Sequence, residues 1–362
     1  MTILNFPCNT CGSKLEFAPG THALKCPSCG TENAIPDEAP EAVSAAVVER
    51  DYQTFLAQAA GNETQIERQT VNCPGCGAAT QLPDNITADR CPFCAVSLIA
   101  GEAYAKRMIR PHALAPFEVK DSEAKAHFKA WIASLWFAPN ALKNAYREAR
   151  GLKGIYLPYW TYDAETTTQY SGQRGDHYYV SETYNENGQT RNRQVQRTHW
   201  SAAAGVVEVS FDDILVPATC SLPSDYLVRL EPWKLERLQP YREDYLSGFS
   251  VEAYQLALAP GFDVACQRMD SGIRNSIAQD IGGDEQRIDT MTPHYTDIKF
   301  KHVLLPVWLS TYQFGGKTWR FLVNGQTGEV QGERPWSAWK IAFAILAVLI
   351  CVLISVSVFN QP

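Results

Sequence analysis

Eight of the eleven cysteines fall into two copies of one spacing. The first copy is Cys8-x2-Cys11-x14-Cys26-x2-Cys29. The second is Cys73-x2-Cys76-x14-Cys91-x2-Cys94, each cysteine 65 positions after its counterpart. Four thiols in two CxxC hooks form the donor set of a tetrahedral zinc ion, with Zn–S bonds of about 2.3 Å. Asn9, Pro27, Pro74 and Pro92 follow the first cysteine of each hook, and Gly12, Gly30 and Gly77 follow the second in three of them. Such tight turns aim backbone N–H groups at the sulfurs and favour thiolate. A lone CxxC is compatible with redox chemistry. Two hooks paired twice over point to metal, and disulfides or iron are the weaker alternatives.

All four positions in each set are cysteine, so neither site leaves a coordination position for water or substrate. Two structural Zn2+ ions are expected, standing in for the hydrophobic core that loops of about 30 residues cannot build alone. The other three cysteines are read as inert: Cys266 on an apolar helix face, Cys220 at a strand end, Cys351 in a lipid-facing segment.

The other end of the chain constrains the protein as strongly. Residues 341–359, IAFAILAVLICVLISVSVF, carry no charge. Nineteen helical residues span about 28 Å, enough for a bilayer core. Trp336 and Trp339 stand before this stretch as interface anchors, beside Arg334 and Lys340. No charged side chain follows it, so the positive-inside rule keeps the large N-terminal part in the cytoplasm. No export signal is visible before the first hook, which agrees with a reducing, cytosol-facing location. The expectation is a single-pass, tail-anchored protein of the cell inner membrane.

Between these ends the pattern reads as α+β. The expected divisions are zinc ribbon one at 1–35, a linker helix at 36–69, zinc ribbon two at 70–100, an α+β body with antiparallel sheet at 101–338, and a transmembrane helix at 339–360. Val48, Tyr52, Phe55, Leu56 and Ala59 share one helical face in the linker, stopped by Gly61. In the body, Asp121 or Ser122 caps a helix with Phe128, Trp131, Ile132, Leu135 and Trp136 on its apolar face. Pro139 ends that helix and opens a second one through Arg150. Separate strands are expected at 155–170, 178–186, 189–201, 206–216, 295–303, 304–314, 318–324 and 329–331, with an Asn187-Gly188 hairpin turn. Pro260 begins a long helix with Phe262, Cys266, Met269, Ile273, Ile277 and Ile281 on one face, closed by Gly282-Gly283. Leu157-Pro158-Tyr159-Trp160 is echoed by Leu305-Pro306-Val307-Trp308, as chance or a duplication would give.

No catalytic set emerges. Gly315-Gly316-Lys317-Thr318 lacks the glycine a Walker loop needs at Thr311 and reads as a hairpin turn. His177, His199, His294 and His302 are scattered, and Tyr162-Asp163 and Glu165 lie on a strand with no recognisable acid/base partner. Arg191, Arg193, Arg197 and His199 share one strand face, either solvated or facing lipid phosphates or an acidic partner. Nucleic-acid binding is disfavoured. The ribbons carry no net positive charge, and each zinc–tetrathiolate centre adds about two negative charges. Phe17, Leu82 and Phe93 are read either as protein contact points or as packing beneath the metal.

These features together resemble a bacterial family of membrane-anchored double zinc-ribbon proteins. The resemblance rests on the paired hooks, on Lys153-Gly154-Ile155-Tyr156-Leu157-Pro158-Tyr159-Trp160-Thr161, on Phe321-Leu322-Val323-Asn324-Gly325-Gln326-Thr327-Gly328-Glu329-Val330 and on the apolar tail. Members carry labels such as "TFIIB-type zinc ribbon" or "primosomal protein N′ (replication factor Y)-like". The helicase label does not suit this chain, which has no Walker motifs. The resemblance implies a non-enzymatic membrane adaptor or scaffold beside SPFH and phage-shock PspA-type proteins, in envelope-stress complexes. A ribbon protein binding nucleic acid in replication or transcription is the alternative.

Overall fold

The computed structural model describes residues 6–36, 48–58, 65–81, 88–94, 96–142, 151–186, 189–315 and 317–359. The N-terminal elements are β1 (Glu16–Phe17), β2 (Ala23–Lys25), β3 (Glu32–Ala34), β4 (Arg50–Asp51), α1 (Tyr52–Gln58), β5 (Gln65–Asn72), β6 (Ala79–Gln81), β7 (Ala88–Arg90) and β8 (Ser97–Ile99). There follow β9 (Tyr104–Ile109), β10 (Ala113–Leu114), α2 (Asp121–Ser134), β11 (Lys153–Glu186), β12 (Gln189–Pro217), α3 (Ser224–Arg229), β13 (Gln239–Pro240) and β14 (Ser250–Glu252). The chain closes with α4 (Leu258–Ile281), β15 (Glu285–Phe314), β16 (Lys317–Asn324), β17 (Val330–Gly332) and α5 (Ala338–Phe359). The fold is mixed α+β.

β1, β2 and β3 form a small antiparallel sheet, and β7 pairs with β8. The main sheet runs β13-β10-β15-β11-β14-β6-β5-β9, with β4, β12, β16 and β17 attached along it. Two of its pairings, β10 with β15 and β11 with β14, are parallel, so the sheet is mixed.

The strands are far longer than the sequence pattern implies. The expected segments 155–170 and 178–186 are one strand, β11; 189–201 and 206–216 are one strand, β12; and 295–303 and 304–314 lie within β15. Glycines in the gaps between the expected strands serve close packing. A Cβ on Gly172 would collide with the Arg287 carbonyl oxygen, and one on Gly205 would lie 2.9 Å from the Tyr170 ring. β11 and β12 stay paired from Tyr159↔Pro217 to Glu186↔Gln189, on either side of the expected Asn187-Gly188 turn, which lies outside the described residues. β15 leaves this ladder at Gly175↔Glu285. Beyond that point the hairpin continues as two strands for about 36 Å at 3.3 Å per residue.

α4 covers one face of the long strands. Its buried positions are Leu258, Gly261, Ala265, Met269, Ile273, Ile277 and Ile281, a stripe at three- and four-residue spacing. The helix starts two residues before Pro260, which the first turn tolerates because N–H groups there have no helical acceptor. Gly282, at φ 64°, ends it as expected. Phe262 and Cys266 sit at the edge of the stripe, half-buried. In α2 the cap is Lys120, whose backbone N–H donates to the Glu123 carboxylate at 2.9 Å, rather than Asp121 or Ser122. α2 ends at Ser134, so Trp136 lies past it and is exposed. Of the expected linker helix, α1 is described; Ala59, Gly61 and residues 37–47 lie outside the described residues, as does the second helix beyond residue 142.

The echoed Leu-Pro-x-Trp segments are neighbours. Leu157 stands opposite Leu305 in the antiparallel β11/β15 pair. The two indoles therefore point toward opposite ends of the sheet, Trp160 donating to the Leu256 carbonyl (2.9 Å) and Trp308 to the Val119 carbonyl (2.8 Å). The Asn324-Gly325 turn is a buried hub. The Asn324 side-chain oxygen accepts from the Gln326 and Thr327 amides, its Nδ2 donates to the Leu230 carbonyl, and the Glu118 and Val119 amides donate to the Gly325 carbonyl.

Candidate metal centres

The eight predicted cysteines converge into two groups of four. Within each group all four sulfurs lie within 4.8 Å of one another. In the first, Cys8 is 3.6 Å from Cys29 and Cys11 is 3.5 Å from Cys26. In the second, Cys73 is 3.4 Å from Cys94 and Cys76 is 3.6 Å from Cys91. A disulfide needs about 2.05 Å, and all eight are free thiols. A tetrahedron with 2.3 Å metal–sulfur bonds has edges of about 3.8 Å. The donor sets are thus positioned to hold a metal ion.

The hooks explain the convergence. Cys8, Cys26 and Cys73 each accept at their carbonyl from the N–H of the glycine four residues on, at 2.8–2.9 Å. Those glycines, Gly12, Gly30 and Gly77, sit at φ 72–76°, left-handed backbone that a side chain would strain. The turns then direct amides at sulfur: Thr10 to Cys8 (3.4 Å), Cys29 to Cys26 (3.5 Å) and Gly75 to Cys73 (3.4 Å). The fourth hook ends at Ala95, outside the described residues.

The surroundings of the two groups differ. Cys11 and Cys29 are exposed, whereas Cys76 and Cys94 are half-buried and Cys91 is fully covered. The Thr10 amide lowers the Cys8 thiol, the Ser13 hydroxyl lowers Cys11, and the Thr31 hydroxyl lowers Cys29. In the second group burial pushes Cys76 up to about 11 and raises Cys91 further. Buried thiols of that kind ionise only when a cation shares the site.

Phe17 and Phe93 pack inward. Phe17 meets Tyr245 edge-on at 5.1 Å, and Phe93 is fully buried in the same core as Cys73, Cys91, Ile155 and Leu157. Leu82 lies outside the described residues. The small sheet is tied to the body by the Phe17 amide on the Ser247 carbonyl (2.9 Å), the Gly20 amide on the Phe117 carbonyl (2.8 Å) and Arg242 on the Pro36 carbonyl (2.7 Å). The second cluster is woven into the main sheet: β5 runs directly into the Cys73 hook, and β6, just after it, pairs with β14.

A second polar cluster escaped the sequence reading. Asp163, expected to lack partners, meets Glu49 and Asp213 close enough for all three carboxylates to converge. Lys301, in β15 and 4% exposed, reaches Asp213 at 2.7 Å and Glu49 at 2.9 Å. Burial, reinforced by the hydrogen bond to Glu49, pushes Asp163 up to about 7, and that same hydrogen bond holds Glu49 below its ordinary value. The ammonium already sits among these oxygens, so the cluster is an internal ion network. Its one sequence signal is a lysine inside the apolar run of β15.

The four histidines singled out in the sequence remain apart from one another. His302 is buried and lowered to about 4 by desolvation, His177 bonds Glu285 (2.8 Å) and Gln196 (2.6 Å), and His199 and His294 are on strand surfaces. Arg193 and Arg197 pair across the hairpin with Glu182. Gly315 turns β15 into β16, as expected of a hairpin.

No family model matches the chain, and no solved structure matches it. A relative in Bacillus subtilis (strain 168), described as "Uncharacterized protein YdjG", is 25% identical over 354 residues, covering 94% of this chain and 92% of that protein.

Proposed function

We propose that the protein is a membrane-tethered, non-enzymatic zinc-ribbon adaptor. Each four-cysteine group holds one Zn2+, α5 crosses the cell inner membrane, and the remainder faces the cytoplasm. The observation that carries this reading is the coexistence of two closed all-sulfur clusters with an apolar helix of mean hydropathy 2.6 that has no buried share. Closed clusters build surfaces and leave no position for substrate. The strongly shifted carboxyls also have internal partners: Asp163 as described, and Glu252 with the Thr219 and Ser221 hydroxyls. Charge complements this: the chain carries a formal −7, and thiolate cages add to it, which favours protein contacts over nucleic acid.

The partners proposed are SPFH and phage-shock PspA-type proteins, by the resemblance described above. Co-expression with the SPFH and PspA-type proteins of the same host, followed by purification in mild detergent, tests this. The adaptor reading expects near-stoichiometric retention of at least one, lost on chelation. Retention of neither retires the adaptor role, and steep salt-dependent binding to DNA or RNA would replace it with the nucleic-acid alternative.

A further inference from the structure

The start of α5 is not a free tether. Lys340 Nζ donates to the Trp136 carbonyl (2.9 Å), the Ala138 carbonyl (2.8 Å) and Asn140 Oδ1 (2.8 Å). The Ser337 amide donates to the Phe137 carbonyl at 2.8 Å. The loop after α2 is therefore clamped against the first turn of the apolar helix. Its inward residues Leu135, Ala138 and Leu142 are buried in the body core. Its outward residues are large aromatics: Trp136 is 78% and Phe137 37% exposed.

Two more indoles stand around the same helix start, Trp336 at 58% and Trp339 at 86% exposure. Phe137 and Trp336 lie 6.4 Å apart, and the Arg334 guanidinium sits 4.5 Å over the Trp336 ring. Between Phe137, Trp336 and the Ile341, Ile345 and Val348 side of α5 runs an apolar groove of about 480 Å³. A loop held rigidly by its inward residues, presenting a tryptophan almost entirely to solvent, is costly in water. At the boundary of headgroups and acyl chains, where indoles are favoured, it is stabilising.

We propose that the loop at residues 135–142 is a second membrane contact. Trp136 and Phe137 enter the headgroup boundary, and a phospholipid acyl chain lies in the groove between Phe137 and α5. The occupant is lipid because the groove wall is continuous with the helix proposed to span the bilayer, and because the Arg334 guanidinium flanks its mouth, at the level of headgroup phosphates. This rests on the membrane reading of α5. It adds that the body is held at a fixed tilt, by two points.

The test uses the full-length protein in phosphatidylcholine vesicles, with and without lipid brominated near the headgroup end of the chain. Trp136→Phe is expected to remove about a third of the bromine-quenched emission, since three exposed indoles share the helix entrance. Trp339→Phe is the control. If Trp339→Phe lowers the quenched fraction and Trp136→Phe leaves it unchanged, the second contact is overturned and the span stands. If neither lowers it, the span falls as well. A Trp136 signal shielded from bromine by a second protein chain, visible as quenching that appears only after dilution to monomer, also overturns it. Retention of wild-type metal content shows that each variant is folded.

Discussion

The two cysteine clusters share every spacing and differ in almost everything around them. The first sits on its own three-stranded sheet with two ligands open to water, while Cys8, Leu15, Phe17, Leu24, Cys26 and Ile35 are buried in the same core as Phe117, Tyr156 and Tyr245. The second is stitched into the main sheet, its Cys91 and Phe93 fully buried in the same core as Ile155, Leu157 and Val307. A repeated motif therefore makes one cluster docked on the core from its own small sheet and one built into the main sheet. Ligand spacing dictates the metal geometry, and the residues between and after the ligands dictate what depends on it.

That contrast can be broken by substitution. Cys91→Ser removes one metal and uncovers the packed interior of the sheet. It should lower global stability by at least about 4 kcal/mol, because metal binding and folding are one event there. Cys29→Ser should also lose one metal, yet move the main unfolding transition by less than Cys91→Ser does, because Cys11 and Cys29 already stand in water. Denaturant titration with parallel metal analysis separates the two, and equal effects would abolish the distinction. Phe17→Ala deletes the buried ring that docks the first module. A loss of about 3 kcal/mol is expected in the contact between module and body, seen as faster proteolysis before Pro36 with metal content unchanged.

A gentler test concerns Asp163, in the sheet that the second cluster shares and the first does not. Its carboxyl is raised to about 7 when folded, well above the unfolded value. Its favourable contribution is complete below the unfolded pKa and is lost as pH rises through 7. Asp163→Asn keeps the protonated shape at all pH. It should therefore stabilise the body by roughly 1–3 kcal/mol at pH 8, with the gain shrinking toward pH 5 and vanishing near pH 4. The first cluster's metal release should not respond. The smallest effect is kinetic: a chromophoric chelator should strip metal in two phases, the exposed Cys11/Cys29 cluster first.

The ligands were legible because metal chemistry demands donors at fixed spacing, and α5 because a bilayer demands an uncharged run. The long strands were not. Gly172 and Gly205 fall in the gaps between the expected strands, and in three dimensions they are close contacts with Arg287 and Tyr170. The network around Lys301 was hidden for the same reason, since Glu49 reaches it from 252 residues away along the chain. Trp136 was misplaced because helical periodicity continues through Leu135 while α2 stops at Ser134. Local pattern carries across such a boundary.

X-ray absorption at the zinc edge on the purified full-length protein, with metal quantified per chain, tests the account most directly. Two zinc ions per chain, each surrounded by four sulfurs at about 2.3 Å, is the predicted result. Fewer than one zinc per chain, or a shell containing nitrogen or oxygen in place of sulfur, would contradict it.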